Sequence, residues 1–198
     1  MKEAILLAAG QSSRMGRDKA LLPMGDSTVI CHVLDKLLAI TQKIYIVLGD
    51  NFTDVKNYLS ENYPSDQIQC VLNENHLQGM FSSARKGFSV VSGNNPIVFQ
   101  LIDQPFVSLQ IYLDLSETYH QQLIYQPSVK KAGKYRAGHP IIFSPKFVDL
   151  IRADETSENL RELINKYNSE RAFLEVEDIA ILDNLNTPLA FNEKLEKR

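Results

Sequence analysis

Cysteine is scarce in this chain: Cys31 and Cys70 are the only two among 198 residues. They stand far apart, show no metal-ligand spacing, and fall on expected core elements, where a thiol serves as small apolar filler. Long apolar runs are missing. No stretch approaches the roughly 20 residues of a membrane-spanning helix. The opening Met1-Lys2-Glu3 leads into an apolar run too short for a signal peptide. The expected setting is a reducing cytoplasm, away from membranes. An excess of positive charge is lacking as well. Lys and Arg number 21 against 24 acidic residues, for a net charge of −3, which argues against a broad nucleic-acid-binding face. Two familiar phosphate loops are also absent, G-x-x-x-x-G-K-[ST] and G-x-G-x-x-G. With no linker, repeat or low-complexity tract, residues 1–198 are expected to form one domain with a full core.

What is present begins at residue 8. Ala8-Ala9-Gly10-Gln11-Ser12-Ser13-Arg14-Met15-Gly16-Arg17-Asp18-Lys19 follows directly on the apolar run 4–7. A strand breaking into a loop with two glycines, Gly10 and Gly16, lets backbone N–H groups approach an anion. Arg14, Arg17 and Lys19 add cations that match phosphate oxygens. A polar loop that merely links a strand to a helix seldom carries three cations in six residues. The segment points to a nucleotide enzyme.

The rest of the chain alternates. Strands are expected at 3–8, 43–48, 67–72 and 96–102, and helices at 28–40, 53–61 and 80–91, from apolar periodicity and stop signals. Such alternation gives a mostly parallel sheet covered on both faces. In these sheets ligands sit beyond the carboxyl ends of strands, where the strand order reverses. Further on, a helix is expected at 108–121, a strand at 123–129, and an exposed hairpin or loop at 130–138. A short strand at 141–143 precedes a helix opened by Ser144-Pro145. Residues 154–157 form a polar break before a helix at 158–167; 172–182 is strand-like and 188–196 helical.

Several residues stand where chemistry is expected. Asp103 stops an apolar strand, and a carboxylate at a strand end over a phosphate site is a hard ligand for Mg²⁺; it also suits a turn before Pro105. Gly79 to Ser83 open a helix whose free N–H groups and hydroxyls suit a polar base or phosphate, or simple capping. His139, in Gly138-His139-Pro140, is either a contact to a substrate phosphate or ring, or an ordinary turn histidine. Asn186, before Thr187-Pro188, either caps the last helix or serves as an oxygen ligand opposite Asp103.

Taken in order, these motifs resemble those of the nucleotidyltransferases of molybdenum cofactor biosynthesis, cytidylyltransferase branch. Leu7 to Lys19, Gly79 to Ser83, Asp103-Gln104-Pro105, Gly138-His139-Pro140 and Asn186-Thr187-Pro188 carry the resemblance over nearly the whole chain. It implies an α/β fold of three layers, Rossmann-like, with a mostly parallel twisted sheet and helices on both faces. It implies transfer of CMP from CTP to the phosphate of molybdopterin or the molybdenum cofactor, with release of pyrophosphate. Nucleotide binding falls to Ala8, Ala9, Gly10, Arg14, Gly16, Lys19, Gly79 and Ser83, and catalysis to Lys19, Arg14 and Asp103. Asp103 and Asn186 are the implied ligands of Mg²⁺, or Mn²⁺, and His139 is the implied acceptor contact. A molybdenum hydroxylase is the implied recipient of the product. Two alanines before Gly10 resemble the cytidylyl branch, because a methyl at Ala9 narrows the base pocket toward a pyrimidine. One departure is Leu189-Ala190, where the family often has an acidic pair. The acceptor side is the least defined. A cytidylyltransferase for another phosphorylated metabolite, or an accessory protein that binds nucleotide without turnover, fits the same motifs.

Overall fold

The computed structural model describes residues 1–10, 18–64 and 66–185. Strand β1 (Glu3–Leu7) is buried along its whole length, as an inner strand covered on both faces should be. Its alternation sorts the core. Ala4, Leu6 and Ala8 join one apolar cluster, while Ile5, Leu7 and Ala9 join the other. A small hairpin, β2 (Pro23–Met24) and β3 (Ser27–Thr28), leads into helix α1 (Val29–Leu38). Strand β4 (Lys43–Leu48), helix α2 (Phe52–Asn62) and strand β5 (Ile68–Leu72) follow, then α3 (Met80–Val90) and β6 (Ile97–Leu101). The second half contains α4 (Leu109–Thr118), β7 (Ile124–Lys131), β8 (Lys134–Ala137), β9 (Ile141–Phe143), α5 (Pro145–Ala153), α6 (Leu160–Lys166) and β10 (Arg171–Glu175).

Helices α1, α2 and α4 bury Val33, Leu34, Val55, Leu59, Ile111 and Tyr112 against the first face. Helices α3, α5 and α6 bury Phe88, Phe147, Ile151 and Leu163 against the second. Each fully buried side chain of this size contributes about 1.5–3 kcal/mol, so the two clusters hold the sheet between its helical layers. The expected three-layer α/β architecture is present.

The eight-stranded sheet has the order β10-β7-β9-β6-β1-β4-β5, with β8 paired to β7. Strands β5, β4, β1 and β6 are parallel; β9 runs against both β6 and β7, and β10 is parallel to β7. The chain moves outward from β1 through β4 to β5, then crosses back to β6 on the other side of β1. That reversal places a crevice between the carboxyl ends of β1 and β6, where open sheets of this kind hold ligands.

Local chemistry moves several expected boundaries. Thr28 caps α1 from an extended conformation. Asn159 starts α6 by accepting from the Glu162 N–H at 2.9 Å, which delays that helix to Leu160. The strand-like stretch 172–182 is a strand only through Glu175. Asp178 then accepts from the Ala180 N–H at 2.8 Å and turns the chain into a 3₁₀ segment, Ile179–Leu182. Residues 130–138 form a hairpin turned by Ala132 and Gly133, with φ of 50° and 76°. Cys31 is buried, as expected of filler, but Cys70 on the edge strand β5 is only half-buried. No helix among the described residues is long and apolar enough to cross a membrane. The expected final helix at 188–196 lies outside the described residues.

Candidate active site

The carboxyl ends of β1 and β6 are held side by side by the ladder itself. Leu7 pairs with Leu101, and the next N–H along, that of Ile102, donates to the Leu7 carbonyl at 3.0 Å. Ala8-Ala9-Gly10 and Ile102-Asp103 therefore leave the sheet as neighbours. Ala8 and Ala9 are buried and Gly10 is exposed, so the loop surfaces at the first glycine.

Lys19 returns from the loop to face Asp103. Burial lowers the Lys19 pKa, and the nearby Asp103 charge partly raises it again. Burial likewise raises the Asp103 pKa, against the pull of Lys19 and of its own backbone N–H. Desolvation thus outweighs mutual attraction for both partners. A half-buried carboxylate and ammonium that remain under-compensated are suited to a charged ligand. The Asp103 Oδ1 atom is buried and accepts no hydrogen bond among the described residues. A hard oxygen in that state fits a divalent-cation ligand. No group of three or more His, Cys, Asp or Glu among the described residues gathers in a way that suits a metal. Arg14 and Gly16, expected at the phosphate loop, and Asn186, expected as a second metal ligand, lie outside the described residues.

The turn after β6 is anchored from several sides. The Leu185 N–H donates to the Asp103 carbonyl at 2.7 Å. Gln104, nearly fully buried, donates from Nε2 to Asn184 Oδ1 at 2.8 Å and to the Ile181 carbonyl at 3.3 Å. The Lys36 ammonium of α1 donates to the Pro105 carbonyl. These bonds bring the chain just ahead of Asn186 to the Asp103 turn.

Two asparagines that the sequence reading passed over brace the opposite wall. Asn51 Nδ2 donates to the Ala8 carbonyl at 3.0 Å, while its Oδ1 accepts from the Gly49 N–H at 3.1 Å. Asn73, buried just beyond β5, donates from Nδ2 to the hydroxyls of Ser82 and Ser83, each at 3.0 Å. Gly79, with φ of 98°, takes a left-handed conformation that other residues rarely adopt, and so sets the entry to α3. The signal was position: Asn73 directly follows β5 and Asn51 stands three residues past the end of β4, where a short amide can bond the loop backbone. Ser83 is buried and held by Asn73, whereas Gly79 is exposed. Ala9 and Ala84 of α3 share one apolar cluster, so the loop after β1 and the start of α3 lie on the same face.

His139 lies beyond β6, its ring tilted against Phe99 with centroids 5.9 Å apart. Burial pushes its pKa down to about 4, against a backbone hydrogen bond with Phe99. The ring is neutral at pH 7 and can offer a hydrogen bond but no charge. The sign of the resulting pH dependence follows. The unfolded chain takes up a proton near pH 6.5, and the folded one near pH 4. Stability is complete above that window and is lost as pH falls through it. The loss reaches up to about 3 kcal/mol. Urea midpoints of the wild type and His139→Gln should diverge between these two pH values, the variant falling less. Parallel curves would mean that the ring protonates freely in the folded state.

Fold and site together are those of a nucleotidyltransferase, with a Lys–Asp pair at the reversal point of a mostly parallel sheet. The chain belongs to the family of the MobA-like NTP transferase domain, whose model matches residues 4–172. It is 24% identical over 188 residues to the molybdenum cofactor cytidylyltransferase of Escherichia coli, covering 94% of this chain and 91% of that one. It is 30% identical over 112 residues to a probable molybdenum cofactor guanylyltransferase of Carboxydothermus hydrogenoformans, 57% of this chain and 51% of the relative. It is 23% identical over 175 residues to the bifunctional protein GlmU of Methanococcus maripaludis, covering 82% of this chain but spanning only 38% of that relative's length. In structure it is similar to Rv0371c of Mycobacterium tuberculosis, with a TM-score of 0.79 at 23% identity, over 99% and 98% of the two chains.

Proposed function

We propose that the protein transfers CMP from CTP to the phosphate of molybdopterin or the molybdenum cofactor and releases pyrophosphate. The observation that carries this reading is the meeting of Lys19 and Asp103 beside the loop after β1. The nearly full-length similarity to a molybdenum cofactor cytidylyltransferase supports the choice of acceptor. The alanine pair before Gly10 supports the choice of base.

An acceptor phosphate oxygen attacks the α-phosphorus of CTP. The new O–P bond forms as the bond to the β-phosphate oxygen breaks, and pyrophosphate leaves. The nucleophile is already ionised at pH 7, so no general base is needed. The obstacle is repulsion between anions. Lys19 places its charge where the α-phosphate gains negative charge, and Arg14 steadies the departing pyrophosphate. Gly10 and Gly16 open the loop backbone to the phosphates. Ala8, Ala9 and Gly79 shape the nucleotide wall, with Ser83 holding the start of α3. Asp103, with Asn186, would hold Mg²⁺ or Mn²⁺, which when bound supplies charge neutralisation between the two phosphates. His139, neutral and level with the acceptor side, contributes a hydrogen bond. The product, a dinucleotide form of the cofactor, would pass to a molybdenum hydroxylase.

Pyrophosphate release tests the reading, with each of four nucleoside triphosphates and purified molybdopterin. Release confined to CTP with acceptor present supports it; none with any nucleotide overturns it. Base choice has its own test. Ala9→Gly removes the methyl that narrows the pocket, and the GTP-to-CTP ratio of kcat/KM should rise roughly ten-fold. An unchanged ratio would place base selection elsewhere.

A further inference from the structure

The two edges of the sheet differ in charge. At one, β5 carries no acidic or basic residue. At the other, β10 pairs with β7 on one side, and no strand lies beyond it among the described residues. An end strand leaves a row of backbone N–H and C=O groups ready to pair with another chain. Proteins usually blunt such an edge with proline, lysine or a bulge. Arg171-Ala172-Phe173-Leu174-Glu175 contains neither proline nor lysine, and its register with β7 runs unbroken from end to end.

Strand alternation puts Arg171, Phe173 and Glu175 on one face. Ala172 and Leu174 take the other, packed against the first core cluster. Phe173 is 47% exposed. The Arg171 guanidinium lies over the Phe173 ring, 5.2 Å from its centroid, and Nη1 donates to Asn168 Oδ1 at 3.0 Å. Its Nε is buried without a hydrogen-bond partner among the described residues. Glu175 Oε1 accepts from the Tyr135 hydroxyl at 3.0 Å, a neutral partner that leaves the carboxylate charge uncompensated. Neither Arg171 nor Glu175 forms an ion pair among the described residues. An exposed aromatic ring thus stands between a cation and an anion, both held in place and both lacking an opposite charge.

That order is its own complement. Two copies of β10 can lie antiparallel about a two-fold axis normal to the sheet and centred on Phe173. Arg171 then faces Glu175 at both ends, Phe173 faces Phe173, and Ala172 faces Leu174 on the other side. Opposite-charge and aromatic pairs of this kind stabilise neighbouring strands. A slip of two residues either way sets Glu175 opposite an uncharged residue, Ser169 or Phe173, so the charges fix the register. Self-pairing of β5 would have no charges to do so.

We propose that β10 is the contact of a two-fold dimer, its partner a second copy of this chain, with the two eight-stranded sheets joined into one. Such an interface is isologous, the same patch serving both subunits. Strand β10 stands three strand steps from β6, about 14 Å at ordinary spacing. The crevice beside Asp103 stays open, and the assembly does not depend on the nucleotidyltransfer reading.

Sedimentation equilibrium of the full chain, without nucleotide, tests the proposal. The wild type should sediment as a dimer that dissociates on dilution. Arg171→Glu and Glu175→Arg each set like charges together twice across the axis, and each should weaken association roughly ten-fold. Mixing the two variants should restore it, because every opposed pair is again acid against base. In Phe173→Cys the two substituted positions face each other with Cα atoms about 4.5–5.5 Å apart, within reach of a disulfide. Mild oxidation should then give a covalent dimer that the wild type, with only Cys31 and Cys70, does not form. A wild type that stays monomeric at roughly 100 µM overturns the proposal. So does a dimer that resists both charge reversals, or a mixture of the two variants that fails to associate. Where a charge reversal unfolds the chain, the cross-link decides alone, and its absence overturns the proposal.

Discussion

Asp103→Asn should cut CTP-dependent pyrophosphate release by about 10²–10³-fold, the usual cost of removing one preorganised charge, while raising the melting temperature of the ligand-free protein. The two effects have one cause. Burial raises the Asp103 pKa by more than Lys19 and the backbone N–H lower it, so the folded protein favours the protonated carboxyl relative to the unfolded chain. For an acid with a raised folded pKa, stability is complete at low pH. It declines as pH rises from the ordinary carboxylate range through the folded value. Above the folded value the full penalty is present. Asparagine keeps the shape and removes the charge, so the penalty disappears together with the carboxylate. The acid limb of the wild-type kcat/KM profile should lie above the usual carboxylate range for the same reason. Undiminished turnover in the variant would end the catalytic assignment. A lower melting temperature would show that the pair with Lys19 is net stabilising.

That pairing also shows how far sequence alone reaches. The segment from Ala8 to Lys19 stood out in the sequence because glycine and clustered cations after a strand have few other uses. Asp103 was legible because a carboxylate stopped an apolar strand. Their meeting follows from strand order, which local pattern does not specify but the parallel alternation implies. The direction of β9 was not legible: three apolar residues, Ile141 to Phe143, look alike in either direction, and the reversal depends on the chain path after β8. Asn51 and Asn73 were passed over because single amides after strands are common in loops. Only the structure shows that they bond the Ala8 carbonyl and the Ser82 and Ser83 hydroxyls. The stretch 172–182 misled because its apolar residues continue past Glu175, while the Asp178 side chain ends the strand locally.

The motif Gly138-His139-Pro140 was singled out for its histidine, yet its glycine carries the larger structural demand. A Cβ built on Gly138 would lie 2.1 Å from the Ile181 carbonyl oxygen and 2.7 Å from the carbonyl carbon. The obstacle is backbone, so it cannot swing away as a flexible side chain would. Gly138→Ala must push the 3₁₀ segment Ile179–Leu182 off the hairpin. The Ile181 carbonyl also accepts from Gln104 Nε2 at 3.3 Å, and the chain four residues on is tied to Asp103 at 2.7 Å. The displacement therefore spreads to the Asp103 turn. Overpacking of this kind costs about 3 kcal/mol, which in a chain of this size lowers Tm by about 10 °C. Turnover measured well below the lowered Tm should fall too, since Asp103 loses its anchor. Gly10→Ala is the control, because a Cβ there meets no atom of the described residues within 4 Å, and its Tm should scarcely move. A Gly138→Ala protein that melts like the wild type would mean that the segment has room to shift, and that its contact with the hairpin does not hold the site in place.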